Sequence, residues 1–481
     1  MLAVTSRATW ACTRSTARRL LQRYLHTGWR PGLSTLAIET SCDDTSVAIL
    51  EVNRASATDQ SQGPTLRANV PFHDRITANN DAYNGIHPLI ALQSHQESLA
   101  KLVQQALRQW SSDGTRKPSF VSVTRGPGMR SNLQVGLELA KGLAVAWGVP
   151  LVGVHHMQAH ALTPRLCATL EDQPVLYQGP WRPETLKPAF PYLSVLASGG
   201  HTMLINSTGL TDHQVLATTG DIAIGDCLDK ASRAILPPEY IKTPYGKAIT
   251  DFAFPNGEAD FAYAAPTNRR DELTPRKTQW GWSLGVPLGE SKGGGKTSRR
   301  MAFSFAGLLS SVERFMKHTY DTNGAMSGMR DPASVPLEER RDLSRETLRL
   351  CFEHLVSRIL LHLSEPGVRS AAKPVDTVVV SGGVASSPYL RHVIRAMLDA
   401  RGFSHIKVSF PPPSLCTDNA LMIAWAGMEM YTAGYTSSLA ITPIRKWSMD
   451  PRAEDGGILG VPGWIKDGIQ LPAKTSMTGI D

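Results

Sequence analysis

The sequence is poor in cysteine: it has six, widely spaced, and no two of them form a C-x-x-C pair. This arrangement favours neither a disulfide scaffold nor a zinc ribbon. The sequence also lacks any run that approaches the roughly 18 uninterrupted apolar residues needed to span a bilayer. We therefore do not expect a membrane protein. A third absence concerns acids, because no Asp or Glu precedes Glu39.

The acid-free N-terminal segment, residues 1–34, is rich in Ser, Thr and Arg. It contains six arginines: Arg7, Arg14, Arg18, Arg19, Arg23 and Arg30. This composition is typical of a mitochondrial transit peptide, so we expect a transit peptide at 1–34 and a location in the mitochondrial matrix. A basic arm that stays on the mature protein is the alternative. Most of the net charge of +8 comes from this segment, so net charge alone does not indicate nucleic-acid binding.

The length of 481 residues exceeds the roughly 250 to 300 residues at which a single core stops growing. Two kinds of unit each occur twice in the sequence. Residues 35–50 and 192–205 each predict a hairpin with a small polar turn. Strand, glycine-rich turn and helix follow one another from Phe120 and again from Asp376. The pattern predicts a duplicated α/β fold with a cleft between its halves.

The segment 266–300 looks inserted, because it combines Gly and Trp with a local excess of Lys and Arg. Runs of charge are usually solvated surface, so a solvated loop is one interpretation of this segment. A contact with RNA is the other. The sequence alone leaves both open.

The candidate metal ligands are two histidines and an aspartate. In VGVHHMQAH, His156 and His160 follow a short apolar strand and are four residues apart, so on a helix both imidazoles project from one face. Two such nitrogens can bind one divalent metal. Asp418 stands at the start of an apolar helix, where it either caps the helix or completes the ligand set. His155 points to a different face of the helix.

Several glycine turns could bind an anion. The turn Ser198–Thr202 lies between two strands, and its successive amides can cradle a phosphate or carboxylate. Gly126–Gly128 and Gly382–Gly383 open helices, whose N-termini favour anions. Asp229, on a helical segment with Asp226 and Lys230, is either part of a solvated face or an acceptor for hydroxyl groups of a nucleotide-like ligand.

Taken in order from residue 35 to about 450, the motifs resemble the tRNA N6-adenosine threonylcarbamoyltransferase family, particularly its mitochondrial branch. The matching stretches are ETSCDDTSVAI, GPGMRSNLQVG with AKGLA, VHHMQAH, LASGGHT, GDIAIGDCLDK, AFSFAGL, VVSGGVASS, CTDNALMIAW and PIRKWSMDP. The resemblance implies an actin-like ATPase (ASKHA) fold with two RNase-H-like halves. It places the first half at 35–160, the second at 161–415 with the insertion 266–300, a helix returning to the first half at 416–450, and a tail at 451–481.

By this resemblance, His156, His160 and Asp418 match the family's metal ligands. The matches to its substrate contacts are Leu196, Ala197, Ser198, Gly199, Gly200, Asp229, Gly246, Thr250, Ser386 and Ser387. The implied reaction transfers threonylcarbamoyl from L-threonylcarbamoyladenylate, made by a separate synthase, to adenosine 37 of mitochondrial tRNAs that read ANN codons. The implied protein is a homodimer with one divalent ion per subunit. The ligand set does not separate iron, zinc, magnesium and manganese, and we name no catalytic base.

The sequence departs from the family pattern at some of these positions. Asp226 stands where Glu is frequent and Ser387 where Asn is frequent, and residues 243–247 read T-P-Y-G-K instead of Y-P-G-G-P. Three other functions compete with the transferase. A zincin-type peptidase is disfavoured because Met157, not glutamate, follows His156. A nucleotide-binding scaffold and a sugar or acetate kinase would not need the metal-type residues.

Overall fold

The computed structural model describes residues 32–55, 65–80, 86–111, 113, 115–170, 175–176, 186–289 and 297–474. The predicted transit peptide thus lies almost wholly outside the described residues. Among the helices that are described, none is long and apolar enough to cross a membrane.

Helices and strands alternate along most of the chain. Their bounds, numbered here in chain order, are β1 Leu33–Glu39, β2 Asp44–Ala55, β3 Thr65–Thr77, α1 Pro88–Trp110, β4 Phe120–Gly126, α2 Arg130–Trp147, β5 Leu151–His155, α3 His156–Leu170, β6 Val175–Leu176, β7 Tyr192–Ala197, β8 Thr202–Ser207, β9 His213–Thr218, α4 Ile224–Ile235, α5 Tyr245–Ala253, α6 Arg269–Leu273, α7 Ala306–Lys317, β10 His318–Tyr320, β11 Met326–Met329, α8 Leu337–Leu363, α9 Pro366–Arg369, β12 Thr377–Ser381, α10 Pro388–Ala400, β13 Lys407–Ser409, α11 Pro413–Cys416, α12 Ala420–Thr432, β14 Tyr435–Ser437, β15 Trp464–Lys466 and β16 Ile469–Gln470.

The first sheet is mixed and, over the described residues, has the strand order β16-β15-β14-β5-β4-β1-β2-β3-β6. The predicted hairpin at 35–50 is confirmed, because β1 pairs antiparallel with β2. On its other side β1 runs parallel to β4, and β4 runs parallel to β5. The segment 451–481, which we expected to be a tail, contributes β15 and β16 to this sheet.

The second sheet is also mixed, with the order β13-β12-β7-β8-β9. The predicted hairpin at 192–205 is confirmed as the antiparallel pair β7 and β8. Strand β7 runs parallel to β12, just as β1 runs parallel to β4. Over the described residues, the fold is therefore α/β, with two mixed sheets and a two-stranded antiparallel sheet of β10 and β11. The glycine turns lie at the carboxyl ends of parallel strands.

The first sheet is covered by helices on both faces, which explains why its central strands are almost continuously apolar. Side chains of β1 alternate between the two faces. Leu36 and Ile38 pack on the side of α1 and α2, and Ala37 packs on the side of α3 and α12.

Helix α3 lies between the two sheets. Leu162 of α3 shares one hydrophobic core with Trp425 of α12 and with Leu196 and Ile205 of the second sheet. The opposite face of the second sheet packs in a separate core with α4, α7 and α8, to which Leu193 and Val195 belong. Residues at the start of α3 consequently lie where the two sheets meet.

A buried ion pair ties α3 to α12. Arg165 and Glu429 have fully buried side chains, and two hydrogen bonds join them: Nε to Oε1 at 2.9 Å and Nη2 to Oε2 at 3.0 Å. Arg165 also donates to the carbonyl of Pro188, which precedes the second sheet. This fork-like geometry sets the distance and rotation between the two helices.

We expect Arg165→Met to lower the free energy of unfolding by about 3–5 kcal/mol, because it leaves the Glu429 carboxylate buried without its cation. The double variant Arg165→Met/Glu429→Met should recover most of that loss, since both charges are then absent. Urea and thermal unfolding of the two variants and the parent protein measure the difference. Equal destabilisation by the single and double variants would contradict this account of the pair.

The described part of the segment 266–300 is solvated in part and packed against α8 in part. Arg270, Arg276 and Lys277 are exposed, as expected for a solvated loop, whereas other residues contact α8. Trp282 is 1% exposed and its indole donates to Glu339 Oε1 at 2.9 Å. Arg269 is bonded to Glu272 and to Ser357. Lys292 and Lys296 lie outside the described residues, and the RNA contact stays a prediction.

Candidate metal and anion site

The two candidate histidine ligands occupy the first turn of α3, which begins at His156 immediately after β5. The rings of His156 and His160 have centroids 4.8 Å apart, as expected for positions i and i+4 of a helix. Both residues are buried, at 7% and 5% exposure. His155, the last residue of β5, points away from this pair and holds the carbonyl of Trp447 with Nε2 at 3.1 Å.

Asp418 reaches this pair from the loop between α11 and α12. Its Oδ1 lies 3.0 Å from His160 Nε2 and 3.4 Å from His156 Nε2. The alternative that Asp418 caps α12 is wrong, because Asn419 is the cap and accepts from the amide of Met422. Arg75 holds the loop from the other side by donating to Thr417 Oγ1 at 2.6 Å and to the Asp418 carbonyl at 3.3 Å.

The donor atoms of the three residues lie within 4.8 Å of one another, so they form a candidate site for one divalent metal ion. Ligands about 2.1 Å from one ion, at angles of roughly 90° to 110°, lie roughly 3.0 to 3.4 Å apart. The two distances from Asp418 Oδ1 fall in this range, and His156, His160 and Asp418 form the one group of three or more potential ligands found among the described residues. The Asp418 side chain is 28% exposed, so a ligand can approach the site from that side. Three protein donors leave positions open for such a ligand.

Glu39 orients His156, a role that was not predicted from the sequence. The Glu39 carboxylate is fully buried and lies 3.1 Å from His156 Nδ1 through Oε2. Ser41 Oγ lies 3.2 Å from the same nitrogen, and its amide donates to Glu39 Oε1 at 2.5 Å. A carboxylate behind a ligating histidine fixes the ring and leaves Nε2 to face the metal. An acid that ends an otherwise apolar strand was the available signal.

Two carboxylates, those of Asp418 and Glu39, flank His156, so the site favours a positive charge at this histidine. Burial alone would lower the pKa of His156, but the carboxylates of Asp418 and Glu39 hold it well above its ordinary value. Burial alone would raise the pKa of Asp418, but His156 and His160 hold it well below its usual range. A metal ion must therefore displace a proton from His156. Metal affinity accordingly falls as pH decreases through the raised pKa of this histidine.

Metal added to the metal-free protein should raise its Tm, by the equivalent of about 2.7 kcal/mol at a hundred times Kd. His160→Ala should abolish the shift, and Glu39→Gln should weaken metal affinity roughly 10- to 100-fold without removing a ligand. The exposed His405, in the loop before β13, provides the control His405→Ala, which should keep the full shift. Scanning fluorimetry across a metal titration measures all four proteins. An equal shift in the parent protein and His160→Ala would place the metal elsewhere.

The glycine turn between β7 and β8 opens toward this site. Ser198 and His201 close the turn with mutual hydrogen bonds, including one from the Ser198 amide to the His201 carbonyl at 2.9 Å. Gly199 and Gly200 are exposed, and no atom of the described residues would lie within 4 Å of a Cβ at either position. The side chain of His201 lies within electrostatic range of His156, His160 and Asp418. The turn therefore offers backbone groups to a ligand beside the three metal-type residues.

The predicted substrate contacts Asp229, Gly246 and Thr250 come together on α4 and α5. The Gly246 amide lies close enough to the Asp229 carboxylate to lower its pKa, and Thr250 Oγ1 donates to the Gly246 carbonyl at 2.9 Å. Burial raises the pKa of Asp229, with Arg233 and the Gly246 amide opposing the shift. Helix α4 abuts the glycine turn, because a Cβ on Gly225 would lie 2.7 Å from the amide nitrogen of Gly199.

The second glycine turn, after β12, lies against the first. Gly382 has a φ of +95°, and a Cβ there would lie 2.3 Å from the carbonyl of Ala197. Ser386 bonds back to Gly383, and Ser387 caps α10 through the amide of Leu390. The structure thus brings the two glycine turns together.

Leu196 and Ala197 differ from the other predicted substrate contacts. Both side chains are buried in hydrophobic cores. Any contact of these two residues with a ligand would have to use their backbone.

Comparison with known proteins gives consistent matches. Residues 72–425 match the family model described as tRNA N6-adenosine threonylcarbamoyltransferase. The mitochondrial protein of that name from Schizosaccharomyces pombe is 34% identical over 437 residues, covering 90% of this chain and 89% of that one. The protein of that name from Rhizobium leguminosarum bv. trifolii is 32% identical and covers 88% of this chain and 96% of its own.

Proposed function

Because the chain belongs to the tRNA N6-adenosine threonylcarbamoyltransferase family, we propose that it modifies adenosine 37 of mitochondrial tRNAs that read ANN codons. The donor is L-threonylcarbamoyladenylate, and the products are the N6-threonylcarbamoyl nucleoside and AMP. One observation carries the proposal: His201, in the glycine turn, lies within electrostatic range of the metal-type triad. We propose that the turn holds the phosphate and the triad holds the metal of one and the same substrate complex.

We further infer an actin-like ATPase architecture of two RNase-H-like halves, 35–160 and 161–415, with 266–300 inserted in the second. Support comes from the recurring topology. In each sheet, one strand of a hairpin also pairs in parallel with a strand that leads into a glycine turn. The segment 416–450 returns to the first half, since α12 shares a core with β1 and β5.

The reaction is an acyl transfer. The exocyclic amine of adenosine attacks the carbamoyl carbonyl carbon of the donor, the bond from that carbon to the phosphate oxygen breaks, and AMP leaves with its electron pair. The amine loses a proton. Since the mixed anhydride is already activated, the protein has to position the two substrates and stabilise charge. A divalent ion on His156, His160 and Asp418 would supply Lewis-acid stabilisation of the donor's phosphate and carbonyl oxygens.

Different residues of the chain would bind different parts of the donor. The amides of Gly199 and Gly200 point to no acceptor among the described residues and are available to the phosphate. Asp229 would accept hydrogen bonds from hydroxyl groups of the donor, as carboxylates do in other nucleotide sites. Gly246 and Thr250 support Asp229 from α5, and Ser386 and Ser387 line the second glycine turn.

We infer that the protein acts in the mitochondrial matrix as a homodimer with one divalent ion per subunit, and that a separate synthase supplies the donor. The fission yeast relative is named as mitochondrial, and this supports the compartment. An activated carbamoyl adenylate hydrolyses readily, so a separate source of donor close to the transferase is chemically reasonable.

The test combines purified protein, metal, unmodified tRNA transcripts that decode ANN codons, and threonylcarbamoyladenylate. Mass spectrometry of the digested nucleosides should detect threonylcarbamoyladenosine, and His160→Ala should reduce its rate of formation at least about a hundredfold. A substitution of the exposed His405 should not reduce it. If no product forms with metal supplied, or if His160→Ala is fully active, a scaffold role becomes the better account.

Two acids on the same helix test the donor contacts. Asp229→Asn should raise KM for the donor about 10- to 100-fold, because hydrogen bonds to a charged group contribute about 1.5–3 kcal/mol. Asp226→Asn is the matched control. Asp226 forms a surface pair with Lys230 at 2.7 Å, a pair worth only about 0.3–0.5 kcal/mol, so KM should stay within about twofold. Steady-state kinetics at varied donor concentration measure both KM values. Equal effects of the two substitutions would show that Asp229 does not contact the donor.

A further inference from the structure

Three exposed cations stand next to the candidate metal site, and none of the roles assigned above uses them. They are Arg130, at the first position of α2, and Arg445 and Lys446, in the loop between β14 and β15. We call these three residues the basic rim. They come from chain segments more than three hundred residues apart, so the fold brings them together.

The loop that carries Arg445 and Lys446 is fixed by hydrogen bonds to the ends of β4 and β5. The amide of Ile444 donates to the Arg125 carbonyl at 2.9 Å, and the amide of Gly128 donates to the Arg445 carbonyl at 3.3 Å. The carbonyl of Trp447 is held by His155, and its buried ring packs on the His155 ring with centroids 4.5 Å apart. The backbone that presents the two cations is thus ordered before any ligand binds, which lowers the entropy cost of binding.

A short chain of contacts leads from the basic rim to His156. Met129, which precedes Arg130, donates its amide to the Ser41 carbonyl at 2.9 Å, and Ser41 Oγ lies 3.2 Å from His156 Nδ1. Gly126 allows the loop to approach, because a Cβ there would lie 2.1 Å from the Ile444 carbonyl oxygen. The basic rim therefore stands at the carboxyl ends of the parallel strands β1, β4 and β5, beside the metal-type residues.

Among the residues that the structure describes, no carboxylate lies within ion-pair distance of the basic rim. Over the described residues, Arg130, Arg445 and Lys446 are absent from the ion pairs within 4 Å, and the first turn of α2 carries no acid. Nearby Arg452 behaves differently, since it pairs with both Asp450 and Asp212. Exposed cations left without a partner near a binding site attract an anionic ligand from outside the chain.

We propose that the basic rim binds the phosphate backbone of the RNA strand whose adenosine enters the site. This inference rests on the proposed function, because a nucleotide that reaches the metal-type residues brings the phosphates of its neighbours to the mouth of the site. Cations on a fixed loop contact such phosphates without reading bases, and they add salt-dependent affinity. An acidic protein is the other possible partner, and it would not require the cations to stand beside the reacting centre.

The experiment compares two double variants. In Arg445→Ala/Lys446→Ala, KM for tRNA should rise about tenfold, kcat at saturating tRNA should stay within about twofold, and the log–log salt slope of tRNA affinity should fall by about 0.7 per lost contact. Arg130→Ala should act in the same direction, and Arg445→Lys should retain affinity. The matched control is Lys373→Ala/Lys407→Ala. It removes two exposed lysines near the start of β12, the end away from the glycine turn, and should change neither KM for tRNA nor the salt slope.

Fluorescence anisotropy of labelled tRNA without donor measures binding separately from the reaction. If the parent protein binds tRNA and the Arg445→Ala/Lys446→Ala variant binds it equally well with the same salt slope, the inference is overturned. A fall in kcat with unchanged KM would also overturn it, since the loop would then act on the site itself. Failure of the parent protein to form product contradicts the proposed function instead, and the binding comparison still tests the basic rim.

Discussion

The buried ion pair between Arg165 and Glu429 is the constraint on which the site depends. It joins α3, which carries both histidines, to α12, whose first residue lies two positions after Asp418. The donor atoms must lie close together to share an ion, so the two helices have to be held at a fixed distance and rotation. A buried ion pair with two hydrogen bonds holds the helices in this way, because any relative shift of the helices would leave both charges poorly paired.

The charged and polar groups around the candidate metal site differ with their distance from it. Glu39 and Asp418 flank His156, so negative charge surrounds the position of the ion. The amides of the glycine turns lie beside the triad, and the cations of the basic rim lie farther out, at the protein surface. The proposed phosphate-bearing substrate would therefore meet attraction at the mouth and at the turn, whereas the carboxylates at the centre would repel it without an ion. Under the proposed function, substrate binding and metal binding would support one another.

Local features of the site followed from the sequence, and long-range features did not. The hairpins at 35–50 and 192–205 and the shared face of His156 and His160 depend on periods of two and of about four residues, which a sequence displays. The assignment of Asp418 needed the family resemblance, because Asp418 and Asn419 are equally good caps and only the fold shows which one caps. Glu39 was missed because the partner that gives it a role lies 117 residues away. The burial of Leu196 and Ala197 likewise depends on sheets packed in three dimensions.

The junction between β5 and α3 has a consequence for how the chain can vary. His155 ends the strand and holds the loop of the basic rim, and His156 begins the helix and faces the metal-type site. These two residues are adjacent in the chain, so no residue between them can absorb a change in length. An insertion of a single residue here would rotate every later side chain of α3 by about 100° and separate the two anchors. Length variation among relatives should therefore be absent at this point and concentrate in segments outside the site, such as 266–300.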